Sequence, residues 1–68
     1  MTWEELKEKA KEMGYVEEED QYGTRRLRLN ELCFWEQGCV YKNTPFVPDI
    51  LAKGRTPEQM LMIMRGLE

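Results

Sequence analysis

The chain is 68 residues long, 41% hydrophobic and 34% charged, with a net charge of −3. Those figures describe one globular domain, residues 1–68, with no whole-chain electrostatic reason to bind nucleic acid or an anionic membrane. The lack of histidine and serine excludes Ser-His and Cys-His nucleophile pairs, the usual general base and every His-dependent zinc site, and two cysteines cannot make a four-thiolate site.

Thr2 to Met13 reads as an amphipathic helix. Thr2 and Glu5 form a capping box, in which the hydroxyl accepts from the N3 amide and the carboxylate returns to the cap. Trp3, Leu6, Ala10 and Met13 fall on one stripe of a 3.6-residue helix. Glutamate–lysine pairs decorate the remaining faces, and Gly14 supplies the left-handed residue that ends the element. Acids outnumber lysines and the stripe is narrow, so the helix packs on a core rather than lying on a membrane.

Next come Y-V-E-E-E-D, Q-Y-G and T-R-R-L-R-L. A three-residue hairpin loop with Gly23 in the αL position sets Glu19 opposite Arg25, Glu18 opposite Arg26 and Val16 opposite Arg28. Tyr15, Leu27 and Leu29 then share a face. Alternation along a strand separates the carboxylates of Glu17 to Asp20, so cross-strand pairing is favoured over a metal site.

Leu27 to Tyr41 holds both cysteines and most of the β-preferring residues, and reads as the sheet core. E-Q-G at 36–38 is a second three-residue loop, which places Trp35 opposite Cys39, Phe34 opposite Val40 and Cys33 opposite Tyr41. The cysteines sit diagonally, too far apart for a disulfide, and read as two small buried thiols. Were Arg25 to Trp35 one strand, Leu27, Leu29, Cys33 and Trp35 would line the core. Glu31 is the misfit in that strand, so Asn30-Glu31 is where a bulge, bend or break is expected. Leu32 and Phe34 point the other way, either covered or exposed and adhesive.

After Asn43 the chain turns. Pro48 is expected to start a short helical turn, with Ile50 and Leu51 packing down and Gly54 ending it. A closing helix follows, capped by Thr56 with Pro57 at N1 and Gln59 completing a second capping box. Met60 to Met64 are five apolar residues in succession, more than an amphipathic surface helix presents. Two readings stay open: the run fills an irregular core, or it forms a homodimer or partner interface.

The resulting class is α+β, in the order α-β-β-β-α: a three-stranded antiparallel meander with N- and C-terminal helices packed on one face. That order, with an opening helix ending in Gly14-Tyr15, resembles the double-stranded-RNA-binding-like fold, which HicA-type toxins also use. In those toxins a strand histidine serves RNA cleavage, and this chain has no histidine.

The leading functional expectation is a small, non-enzymatic, cytoplasmic interaction module without cofactor. Its partner is a protein or a second copy of itself, engaged through Met60, Met62, Ile63 and Met64 and the exposed parts of Leu32, Phe34 and Trp35. The alternative is nucleic-acid binding through Arg25, Arg26, Arg28 and Lys42, flanked by Tyr22, Phe34 and Tyr41. A thiol-dependent enzyme using Cys33 or Cys39 ranks third. No apolar run reaches the ~18–20 residues that span a bilayer. The charged start, M-T-W-E-E-L-K, is unlike a signal peptide, and two cysteines in that setting read as reduced thiols.

Overall fold

The computed structural model describes residues 1–45 and 47–66. Phe46, Leu67 and Glu68 lie outside the described residues, and with them the Leu67 end of the C-terminal apolar stretch. The order is α1 (Trp3–Glu12), β1 (Val16–Glu19), β2 (Arg25–Leu29), β3 (Leu32–Trp35), β4 (Val40–Lys42), β5 (Asp49–Ala52) and α2 (Pro57–Gly66). The strands form one five-stranded sheet paired in sequence order, every pair antiparallel. The α+β class stands, and the three-stranded meander becomes a five-stranded one.

The first added strand comes from Asn30-Glu31. Leu29 pairs with Leu32 across a two-residue turn, and Asn30 takes a left-handed φ of 55°, which asparagine tolerates better than most side chains. The expected break is therefore a full reversal. A two-residue turn matches odd positions with even ones, so Leu27 faces Phe34 and Arg28 faces Cys33. This corrects the one-strand reading of the core: Leu32 and Phe34 join Leu27 and Leu29 there, while Cys33 and Trp35 turn to the opposite face with Arg26 and Arg28.

The second correction concerns Pro48 to Gly54. Instead of a helical turn, Asp49–Ala52 lies along the outer edge of β4, with Lys42 facing Asp49, Tyr41 facing Ile50 and Val40 facing Ala52. One extra residue, Leu51, has no match on β4. Ile50 and Leu51 do not pack down but stay half exposed. A β-branched residue beside an unpaired strand edge has more to gain from a ladder than from one isolated helical turn.

The two x-x-G loops form as read. Asp20 N–H donates to Thr24 C=O at 2.9 Å and Trp35 N–H to Cys39 C=O at 2.8 Å, with Gly23 at φ 83° and Gly38 at φ 99°. Glu18 faces Arg26 and Glu19 faces Arg25. Both helix caps are in place: Glu5 N–H donates to the Thr2 hydroxyl, while Gln59 N–H and the Thr56 hydroxyl are matched by Thr56 N–H and the Gln59 side-chain oxygen.

Both helices pack on one face of the sheet. Trp3, Leu6 and Ala10 from α1 meet Met60, Leu61 and Met64 from α2 over Leu27, Phe34 and Val40. Tyr15 meets Phe34 edge to face, with centroids 5.6 Å apart. Met60, Leu61 and Met64 fall at i, i+1 and i+4, so the apolar run does turn one face inward. Met62 is the residue left outside, 73% exposed. No helix among the described residues is long and apolar enough to cross a membrane.

Candidate interaction surfaces

The face without helices is built around Arg26. Its Nε donates to Glu18 Oε1 at 2.8 Å and its NH1 to the Tyr41 hydroxyl at 2.7 Å. Its guanidinium carbon lies 5.5 Å from the Trp35 ring centroid, within cation–π range. Trp35 in turn stacks on Tyr41, with centroids 6.2 Å apart and planes 12° apart. Arg28 Nε reaches the other oxygen of Glu18 at 3.1 Å. The hairpin register explains this cluster, since it sets β1 acid against β2 base on each face in turn.

These contacts shift the groups involved. Partial desolvation pushes the Glu18 carboxyl up, but hydrogen bonds from Arg28 and Arg26 outweigh it and hold the carboxyl below its ordinary value. Burial opposes the Arg26 charge, yet hydrogen bonding to Tyr41 and Glu18 leaves the guanidinium above its ordinary value. Burial, and then the neighbouring Cys33 thiol, raise the Tyr41 hydroxyl against the opposing pull of Arg26.

The four cations of the candidate anion patch are not brought together. Arg26 and Arg28 share Glu18 on the helix-free face. Arg25 is on the helix side, between Glu4 at 3.0 Å and Glu36 at 2.8 Å. Lys42 lies at the far end of β4, facing Asp49. Glu17 follows the alternation and points to Lys7, 3.5 Å away, so the acidic run is divided between the two faces.

The candidate docking residues are also dispersed. Met60 and Phe34 are 0% exposed and Met64 is 1% exposed, so all three belong to the monomer's own core. Ile63 packs against that core from its margin, Met62 is exposed on the outside of α2, and Trp35 is half buried on the opposite face. Cys33 is buried and Cys39 half buried, both as free thiols.

No family model, curated protein or solved structure matches this chain. Apolar surface converges at the β5 side, where Met13, Tyr15, Leu29, Leu32, Leu51 and Met64 line a groove of about 400 Å³ rimmed by Asn30, Glu31 and Lys42. On the sheet edge Leu51 is 50% exposed, and Ile50 beside it is 52% exposed. The sequence reading missed this surface because D-I-L-A carries no two-residue alternation. The one signal was Pro48, which disfavours helix in the residue before it.

Proposed function

We propose that the chain is a non-enzymatic interaction module that engages a protein through the β5 edge and the adjoining groove. The observation that supports this is the position of Leu51. It is the residue that β4 leaves unmatched, it is half exposed, and it forms one wall of the apolar groove. Small-molecule pockets of that size are usually more enclosed and pair their apolar walls with convergent polar groups. A partner's apolar side chain fits such a groove better. The edge strand adds main-chain donors and acceptors, as in β-augmentation.

The test is a photo-crosslinking residue in place of Leu51, with a second version carrying it at Glu8 on the exposed side of α1. The reading requires a discrete adduct from position 51 that excess unlabelled protein competes away and that position 8 does not give. No adduct at either position, in purified protein and in extracts of the host cell alike, would sink it.

Nucleic-acid binding is the second reading, and the Arg26–Trp35–Tyr41 stack is what favours it, since bases stack on such aromatic platforms. It is the weaker one, because the arginines of that face already hold Glu18. A titration with single-stranded RNA at low salt decides it: binding that falls steeply with salt supports the reading, and no binding at low salt removes it.

A further inference from the structure

The two edges of the sheet, β1 and β5, carry different charge. β1 reads V-E-E-E. Between Lys42 and Arg55, the stretch that contains β5, the chain has three basic residues and one acidic residue, although acids outnumber bases 13 to 10 overall. Lys42, Lys53 and Arg55 are exposed, and none of them makes an ion pair among the described residues. Arg25, Arg26 and Arg28, by contrast, each already hold a carboxylate. The β5 border therefore presents cations without a counter-charge.

Those charges are unevenly placed along the strand. The Asp49 end of β5 lies against Lys42, and its Ala52 end lies against Val40. Lys42 and Glu31 rim the groove, so at that end one lysine stands with two carboxylates, Glu31 and Asp49. Lys53 and Arg55 follow the other end, where Arg55 N–H meets Gly38 C=O. The carboxylates of that neighbourhood are engaged, Glu36 by Arg25 and Glu58 by the Met1 amine. An apolar groove thus adjoins one end of the edge and two unpaired cations the other. We infer that the partner of the β5 edge is an acidic protein segment, which seats an apolar residue in the groove and sets carboxylates against Lys53 and Arg55. This rests on the interaction reading above and names the chemistry of its partner. A basic segment would meet like charge at Lys53 and Arg55, and a neutral one would leave both without a counter-charge. Exposed charges of this kind act chiefly on encounter rate and on the choice between partners.

The experiment selects peptides from a random phage-displayed dodecapeptide library on the immobilised full chain, then measures the enriched peptides by fluorescence anisotropy. Peptides combining an apolar residue with an excess of Asp and Glu are expected, although the chain itself carries a net charge of −3. Two double variants then locate the charge effect. Lys53→Glu with Arg55→Glu is expected to weaken binding at least about tenfold. Lys9→Glu with Lys11→Glu, at exposed positions of α1, changes net charge equally and is expected to weaken it less than about twofold at physiological salt. Lys53→Gln with Arg55→Gln removes the charges without reversing them and gives a smaller loss in the same direction. Circular dichroism confirms that each variant is folded. Enriched peptides that are neutral or basic overturn the inference, as do acidic ones that bind both double-glutamate variants equally, and so does a selection that enriches nothing. The failures are distinguishable. A discrete adduct from position 51 alongside any of these results leaves the interaction reading standing without an acidic partner, whereas no adduct and no enrichment removes both.

Discussion

The backbones of Gly38 and Arg55 touch. Arg55 N–H donates to Gly38 C=O at 3.1 Å, and a Cβ on Gly38 would lie 2.4 Å from the Arg55 carbonyl oxygen. This contact ties the β3–β4 hairpin to the segment entering α2. Gly38 is required twice there, for its φ of 99° and for the space where a side chain would be.

Gly54 provides the control. It also has positive φ, 66°, but nothing lies within 4 Å of an added Cβ. Gly54→Ala is expected to cost about 1–2 kcal/mol for the left-handed conformation alone. Gly38→Ala carries the same penalty plus the collision with Arg55, and is expected to exceed it by at least about 1 kcal/mol. Urea denaturation of the two variants side by side reads the difference. Equal losses would mean the Gly38–Arg55 approach is slack.

The methionines of α2 separate by face. Met60→Ala removes a fully buried side chain and should cost about 2–5 kcal/mol, enough to unfold much of a domain this small. Met62→Lys alters a side chain 73% exposed and should move stability by no more than about 0.5 kcal/mol. A thermal melt of each checks the helix's rotation. If Met62→Lys proved the damaging one, α2 would be packed by another face.

The two thiols should differ in access. Cys33 is 0% exposed and Cys39 only half buried, so a bulky alkylating reagent is expected to modify Cys39 in the folded protein. Cys33 should react only after denaturant is added. Mass spectrometry of peptides from a timed reaction distinguishes the sites, and equal rates would contradict the packing around Cys33.

Acid should weaken the fold partly through Glu18. Its carboxyl ionises below the ordinary value of 4.5 because Arg28 and Arg26 outweigh its desolvation. The folded state therefore holds the proton less tightly than the unfolded chain. The stabilisation is complete above about pH 4.5 and is lost as pH falls through the lowered folded value. Glu18→Gln removes that component, so its unfolding midpoint should fall less steeply than the wild type's between about pH 5 and 3. Parallel curves would show that Glu18 does not couple to folding. The paired Glu4, lowered by Lys7 and Arg25, keeps some slope in both proteins.

Sequence by itself determined the features that depend on residues close along the chain. Thr2 and Thr56 announce their helices because a cap and its partner lie three residues apart. Gly23 and Gly38 announce their loops because only left-handed residues close them, and the Glu18–Arg26 register follows from loop length. Three matters were decided only by the tertiary structure. Asn30-Glu31 became a full turn because Leu32 and Phe34 gain a helix-covered face by reversing, which no local pattern records. Asp49–Ala52 became a strand because β4 had an open edge to receive it. The Met60–Met64 run turned out to be core packing for all but Met62, because its neighbours Leu6, Leu27 and Phe34 come from elements distant in sequence. Burial depends on what folds back over a residue, and a one-dimensional pattern carries that only weakly in a chain of this size.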